Sequence, residues 1–354
     1  MNYIGKTSGG IDVEIGAASP NQHVVISGMS GAGKSVRLAE IEKNIIQYGG
    51  TVIAFDVNGT HKREENAAFN FISVQEDGLD VKFLSDKLVK EGKETLSNLI
   101  QYVMETLCPR ELRGACQLGA VRKAIEFALD HAYEFACEMD AISFGLKQQD
   151  DTVSMGAYNH LCPILEGEIF RKSSKKILLR KINIISLKGL NPKTQKRVIE
   201  IMLSSLWRNI RIGGTCENRF SLVIDEFQNL DFAKDTVFFQ MLTEARKYGV
   251  NMILATQTLT IFSKRELAII NQAAVKLFFQ QSGSDAKKIA ELIDCQHKQR
   301  WTQELLTLKI GQAVAVGTFE VLGRQIMRPI ITYSDYDKTF QSRDKTSLAI
   351  HKNI

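Results

Sequence analysis

Apolar residues fall into two alternating rhythms along most of this chain. Short unbroken runs at Val24-Val25-Ile26, Thr51–Phe55, Ile182–Ser186, Ser221–Ile224 and Asn251–Ala255 have the length and β-branched content of strands buried on both faces. Between them lie longer segments whose apolar residues recur every three or four positions, the spacing of a helix with one buried side. Val36, Leu38, Ile41, Ile45 and Ile46 make one such stripe, and Gly49-Gly50 ends it after Tyr48. Further helices are expected over Lys193–Ile210 and Thr236–Tyr248, and further strands over Val275–Phe279 and Ala313–Val316. Strands alternating with helices predict an α/β fold, a mostly parallel sheet flanked by helices.

One long stretch breaks the rhythm. From about residue 85 to 172 strand signals fade, and Asp86–Thr106, Glu111–Met139 and Tyr158–Phe170 carry helical periodicity. This reads as an all-helical insertion over 85–172 within a core formed by 23–84 and 173–335. Residues 1–22 hold short β-like pieces broken by Gly9-Gly10 and Pro20, read as a small hairpin leading into the core. Residues 336–354, rich in Lys, Ser, Asp and Thr, form a C-terminal tail.

Composition narrows the classes available. With 354 residues, 44% of them hydrophobic, and only five prolines, the chain has ample material for a large core and little for disordered linkers. A net charge of +5 permits a nucleic-acid partner but is weaker than the footprint of a strongly basic domain. The six cysteines form no C-x-x-C pair, and neither His160 nor His297 completes a metal pattern with its neighbouring cysteine. They read as reduced thiols of a cytoplasmic protein. Met1–Lys6 has no signal-peptide character, and no apolar run approaches the roughly 18 residues of a membrane span.

The chemistry sits at the ends of the strands. Gly28-Met29-Ser30-Gly31-Ala32-Gly33-Lys34-Ser35 follows the first apolar run and precedes the first helix, the context that makes G-x-x-x-x-G-K-[ST] a phosphate-binding loop. Its glycines let successive N–H groups turn inward, and the helix start adds unpaired N–H groups and a positive dipole end. The nucleotide set is Gly28, Ser30, Gly31, Ala32, Gly33, Lys34, Ser35 and Val36, with Lys34 on the β- and γ-phosphates and Ser35 on Mg²⁺. Phe220–Ile224 then runs into Asp225-Glu226. An apolar strand ending in two carboxylates fits a Walker B element. Asp225 would hold Mg²⁺ and Glu226 would act as general base toward water. Ala255-Thr256-Gln257 closes the next strand and places the Gln257 amide at the phosphate edge of the sheet. Arg246, in Glu244-Ala245-Arg246-Lys247-Tyr248-Gly249, has two readings: complement to a helix dipole, or arginine finger.

The order of phosphate loop, helical insertion, strand–Asp–Glu, Ala-Arg-Lys-Tyr-Gly and Ile253-Leu254-Ala255-Thr256-Gln257 resembles the HerA–FtsK superfamily of ring-forming DNA motors, which also holds the ATPases of conjugation and type IV secretion. The resemblance runs from about residue 20 to 330 and includes Asn271–Phe279 followed by Ser284-Asp285-Ala286. It implies a RecA-like core, ATP and Mg²⁺ as ligands, a homohexamer and double-stranded DNA gripped without sequence preference. It also implies that Lys34, Ser35, Asp225, Glu226 and Gln257 act in cis, while Arg246 acts in trans. A trans arginine is worth about 10³–10⁵ in rate in phosphoryl transfer. There are departures. HerA helicases carry an N-terminal β-barrel that docks a nuclease, whereas about twenty residues precede the loop strand here. Membrane helices and a winged-helix tail, as in septal translocases, are not apparent. A nuclease or other effector role would therefore come from a partner chain.

Basic candidates for DNA contact are Lys264-Arg265, the run Arg171–Lys176, and His61-Lys62-Arg63. Two further readings stand beside the DNA motor: a secretion-type ATPase acting on protein, and a nucleotide-gated scaffold that activates a partner enzyme.

Overall fold

The computed structural model describes residues 3–16, 19, 21–59, 61, 67–109, 112, 114–171, 175–213 and 220–335. In chain order the elements begin with β1 Tyr3–Lys6, β2 Asp12–Ile15, β3 Val24–Ser27, α1 Lys34–Gln47, β4 Thr51–Asp56 and β5 Phe69–Ser73. A helical stretch follows: α2 Val74–Asp77, α3 Lys87–Lys90, α4 Leu96–Leu107, α5 Ala115–His131, α6 Glu138–Lys147 and α7 Thr152–Leu165. Then come β6 Ile182–Ser186, α8 Pro192–Gly213, β7 Phe220–Ile224, α9 Val237–Glu244, β8 Val250–Thr256, α10 Lys264–Ile270 and β9 Val275–Phe278. The chain continues through α11 Gly283–Ile293, α12 Lys298–Thr307, β10 Gln312–Gly317, β11 Phe319–Val321, β12 Arg324–Ile326 and β13 Ile330–Tyr333.

Two compact units divide the chain, residues 1–49 with 252–354 and residues 50–251. In the first, the strand order is β12-β11-β2-β1-β13-β10-β9-β3-β8, with β8 belonging to this unit from Met252 onward. Its strand β3 is buried throughout and lies parallel to both neighbours, Val24 pairing with Ile253 on β8 and with Val275 on β9. Beyond β9 every pairing is antiparallel. The parallel pattern expected from the sequence therefore holds around the loop strand, and an antiparallel wing extends it. β11–β13 went unread in the sequence because they are three or four residues long and mostly half-exposed, too short to show a period.

Arg37 locks this wing to α1. It is fully buried, and its guanidinium donates to the carbonyls of Ile4 (2.5 Å) and Gly311 (3.1 Å) and to the hydroxyls of Thr332 (3.1 Å) and Ser334 (3.2 Å). Glu40, one helical turn on, lies 3.3 Å away as its ion-pair partner. Burial depresses the Arg37 pKa and raises that of Glu40, so the pair is held against its own desolvation. Gly5 makes the room, because a Cβ there would stand 2.3 Å from the guanidinium, and its φ of 146° suits glycine. The buried face of α1 is Arg37, Leu38, Ile41, Glu42 and Ile45. Val36, expected on that face, is 37% exposed, and Ile46 is only half-buried.

The second unit orders its strands β7-β4-β6-β5, all parallel. β4 is buried at all six positions, as its unbroken apolar run requires. β5, at the edge, is mostly half-buried and was not visible as a run. The helical periodicity over Asp86–Thr106 resolves into two helices. α3 ends at Lys90, the chain turns at Gly92 (φ 67°), and the Thr95 hydroxyl caps α4 by accepting from the Asn98 N–H. The periodicity over Glu111–Met139 likewise breaks at a 3₁₀ turn, Ala132–Glu134, before α6 begins. α7 starts at Thr152, ahead of the expected Tyr158, because the Asp151 carboxylate caps it at Ser154. α5, α6 and α7 pack on one another, and α4 rests on α8 through a Thr106–Ser204 hydroxyl contact of 2.7 Å. Arg208 on α8 makes a buried 2.5 Å ion pair with Glu94. Among the described residues, no helix is long and apolar enough to cross a membrane.

Candidate nucleotide site

In the first unit, β3 ends at Ser27, the loop runs from Gly28 to Gly33, and α1 starts at Lys34. Gly31 (φ 78°) and Gly33 (φ 103°) take the left-handed backbone that curls the loop. At Gly33 a side chain is excluded twice over, by that φ and by the Gly311 amide, which a Cβ would approach to 2.8 Å. Backbone bonds pin both ends of the loop: Gly28 N–H to Thr256 O (3.3 Å), Met29 N–H to Gln280 O (2.8 Å), and Gly311 N–H to Ala32 O (3.0 Å). Gly28 and Ala32 are buried, while Ser30, Gly31, Ser35 and Val36 face solvent. Lys34 folds back, its ammonium donating to the carbonyls of Gly28 (2.6 Å) and Met29 (3.0 Å). The first N–H groups of α1 have no acceptor within the helix. A glycine-lined curl, a helix start and a lysine at one place form a cradle suited to a polyphosphate.

Gln257 follows β8 directly and is exposed. The strand end beneath it is tied down by hydroxyls. Thr256 donates to Thr258 O (3.0 Å), Thr258 and Thr260 hydroxyls lie 3.0 Å apart, and Thr260 donates to Asp285 on α11 at 2.6 Å. Because Thr260 gives its single proton to the carboxylate, Thr258 must be the donor to Thr260. Gln281, almost fully buried, ties the same edge to the helices beyond it. Its side-chain amide donates to Ser27 O and Phe279 O at 3.0 and 2.9 Å, and its N–H donates to Leu305 O at 3.1 Å. Neither device was legible in the sequence, since threonine and glutamine after a strand look like ordinary loop polarity.

In the second unit, Asp225 and Glu226 follow β7 and are both buried. Glu226 takes a left-handed backbone (φ 55°, ψ 43°), with its N–H donated to Asp225 Oδ1 at 3.0 Å. Its carboxylate accepts from Asn58 Nδ2 (3.2 Å) and Gln228 Nε2 (2.5 Å). Asn58 belongs to the Asn58-Gly59 turn after β4, which pairs with β7 at Phe55–Ile224. Asp56, the fully buried last residue of β4, accepts the His61 N–H at 3.0 Å. An Asn-Gly pair after an apolar strand signals a turn, but nothing in it signals that the Asn58 amide reaches an acidic side chain at the end of the neighbouring strand β7.

Arg246 lies in a 3₁₀ turn, Ala245–Tyr248, that replaces the expected last turn of α9. Gly249 (φ 73°) ends the turn, and Tyr248 packs edge-on against Trp207 of α8 at 5.3 Å. Arg246 itself is exposed.

The basic candidates separate. Arg171 forms an ion pair with Asp140, and Lys175 bonds Asp77 (3.0 Å) and Phe71 O (2.9 Å), so both serve the fold. Residues 172–174, 62 and 63 lie outside the described residues, as does the tail 336–354. Lys264 and Arg265 are exposed in the first turn of α10, whose capping box pairs Ser263 with Glu266. Two cations at the positive end of a helix are placed against the dipole.

Residues 2–206 match the family described as the central domain of the helicase HerA. The DNA double-strand break repair helicase HerA of Sulfolobus acidocaldarius is 21% identical over 336 residues, covering 89% of this chain and 66% of that protein. The chain thus spans just under two thirds of that relative's length. VirB4 of Thermoanaerobacter pseudethanolicus has a similar structure, with a TM-score of 0.69 at 17% identity over 96% of this chain and 97% of that one. The bacterial conjugative coupling protein TrwBΔN70 gives 0.64 at 13% identity, covering 94% of this chain and 89% of that one. TrwB solved with ADP and Mg²⁺ gives 0.61 at 14% identity, covering 89% and 86%. With more than half of its residues matching that family model, the chain belongs to the HerA central-domain family and is a P-loop ATPase of the HerA–FtsK type with a RecA-like α/β fold.

Proposed function

We propose that this chain is an ATP-hydrolysing ring motor that moves along or unwinds DNA. The observation that carries the reading is the glycine curl between β3 and α1, with Lys34 at the helix start. Lys34 would leave the Gly28 and Met29 carbonyls for the β- and γ-phosphates of ATP. Ser35 and Asp225 are the residues that would hold Mg²⁺, which when bound neutralises charge on the phosphates. Glu226 takes a proton from the attacking water, and Gln257 contacts that water or the γ-phosphate. Arg246, exposed on its turn, reaches the nucleotide of a neighbouring subunit in a homohexamer. DNA enters the reading through the family's description as a helicase domain and the name of the Sulfolobus relative. Lys264 and Arg265 are its best-supported phosphate contacts, because nothing in the local helix favours cations there.

The test is ATP turnover with and without linear double-stranded DNA in the wild type, Lys34→Ala and Glu226→Gln. DNA should stimulate the wild type, and both variants should lose at least about 10²-fold in kcat. Turnover that survives in both variants would sink the site assignment. Turnover lost in the variants yet indifferent to DNA would leave an ATPase acting on protein or gating a partner.

A further inference from the structure

Glu226 is held in a pose that its own segment does not favour. A left-handed backbone is uncommon for a residue with a side chain, and here it carries a buried carboxylate. Two amide groups engage the two oxygens separately, Asn58 on Oε1 and Gln228 on Oε2. Gln228 gives its amide hydrogen to Glu226, while its own Oε1 is buried with no hydrogen-bond partner among the described residues. A buried acceptor without a partner costs stability, so the Gln228 amide is held to Glu226 at the expense of its own oxygen.

Asn58 arrives from the other side. It extends from the turn after β4, and the β4–β7 pairing fixes how far that turn stands from Glu226. The buried Asp56 closes the base of the turn by accepting the His61 N–H. Asn58 itself is exposed, so its amide reaches from the surface to a buried acid. An exposed residue ordinarily does little for folding.

We infer that Asn58 is a positioning residue for hydrolysis: with Gln228 it sets the orientation of the Glu226 carboxylate, so the turn after β4 controls the general base. The inference rests on the reading of Glu226 as that base. Asn58 makes no proton transfer itself; it fixes which lone pair of Glu226 faces the water. Loss of the Asn58 amide leaves binding of ATP intact and misplaces the base.

The test is a double-mutant cycle on the full chain, measuring kcat and KM for ATP in the wild type, Asn58→Ala, Glu226→Gln and the double variant. Asn58→Ala should lower kcat about 10- to 100-fold, keep KM within about twofold, and lower the thermal midpoint by no more than a few degrees. In the Glu226→Gln background the same change should alter kcat less than about twofold, because its effect passes through Glu226. An Asn58→Ala enzyme as fast as the wild type, beside an inactive Glu226→Gln, would overturn this inference alone. Equal fold-losses from Asn58→Ala in both backgrounds would also overturn it. A Glu226→Gln enzyme as fast as the wild type would remove the base reading, and the inference with it.

Discussion

Arg37 shows how much of this protein is decided by single buried polar groups. Its guanidinium is fully buried and donates to four acceptors drawn from β1, β13, the turn before β10 and the residue after β13. Arg37→Met would keep much of the side-chain length while leaving those acceptors and Glu40 without their donor. Removing one partner of a buried pair costs about 3–5 kcal/mol, and that loss is expected in urea unfolding. An unchanged midpoint would mean that water replaces the guanidinium without cost. The sequence held a signal for this residue: Arg37 falls on the same helical stripe as Leu38, Ile41 and Ile45. A stripe records only that a position faces inward; the acceptors come from β1, earlier in the chain, and from Gly311, Thr332 and Ser334 near its other end, which no local pattern reveals.

At the scale of elements, the strand–loop–helix of β3 and α1 was legible because hydrophobic run, glycines and helical period all change within a dozen residues. Asp225-Glu226 was legible for a similar reason, as a polar stop on an apolar strand. The threonine chain from Thr256 to Asp285 was not, because hydroxyls signal nothing until the fold sets them 3 Å apart. Thr260→Val should strand both Thr258 and the Asp285 carboxylate. Breaking a hydrogen bond to a charged group should cost about 1–3 kcal/mol, read as a lower urea midpoint at unchanged m-value. A valine variant as stable as the wild type would show that the chain is incidental to the loop after Gln257. The antiparallel wing teaches the same lesson. Its short half-exposed strands β11 and β13 gain much of their structure from pairing with β2 and β1 at the other end of the chain, which local periodicity does not register.

At the scale of the whole molecule, the proposed reading makes Arg246 an arginine finger and thereby ties hydrolysis to assembly. An Arg246→Ala chain should bind ATP normally and hydrolyse it about 10³-fold or more slowly. Mixing it with Glu226→Gln chains should restore part of the rate. A mixed interface with the nucleotide on the Arg246→Ala subunit and the finger from a Glu226→Gln subunit joins an intact Glu226 to an intact Arg246, whereas the opposite orientation lacks both. A mixture no faster than either variant alone would contradict a trans role for Arg246. The expectation of this arrangement comes from the family resemblance carried by the motif order. The net charge of +5 does not decide the proposed DNA contact, and cations such as Arg171 and Lys175 are used within the fold.

The most direct test of the motor reading is ATPase rate per chain against protein concentration, with and without linear double-stranded DNA, at about 50 and 200 mM salt. The account predicts a rate that rises with concentration as rings form and rises again with DNA. The DNA effect should weaken at the higher salt, since each phosphate contact adds about 0.9 to the salt slope. A rate that is independent of concentration and unmoved by DNA at either salt would contradict it.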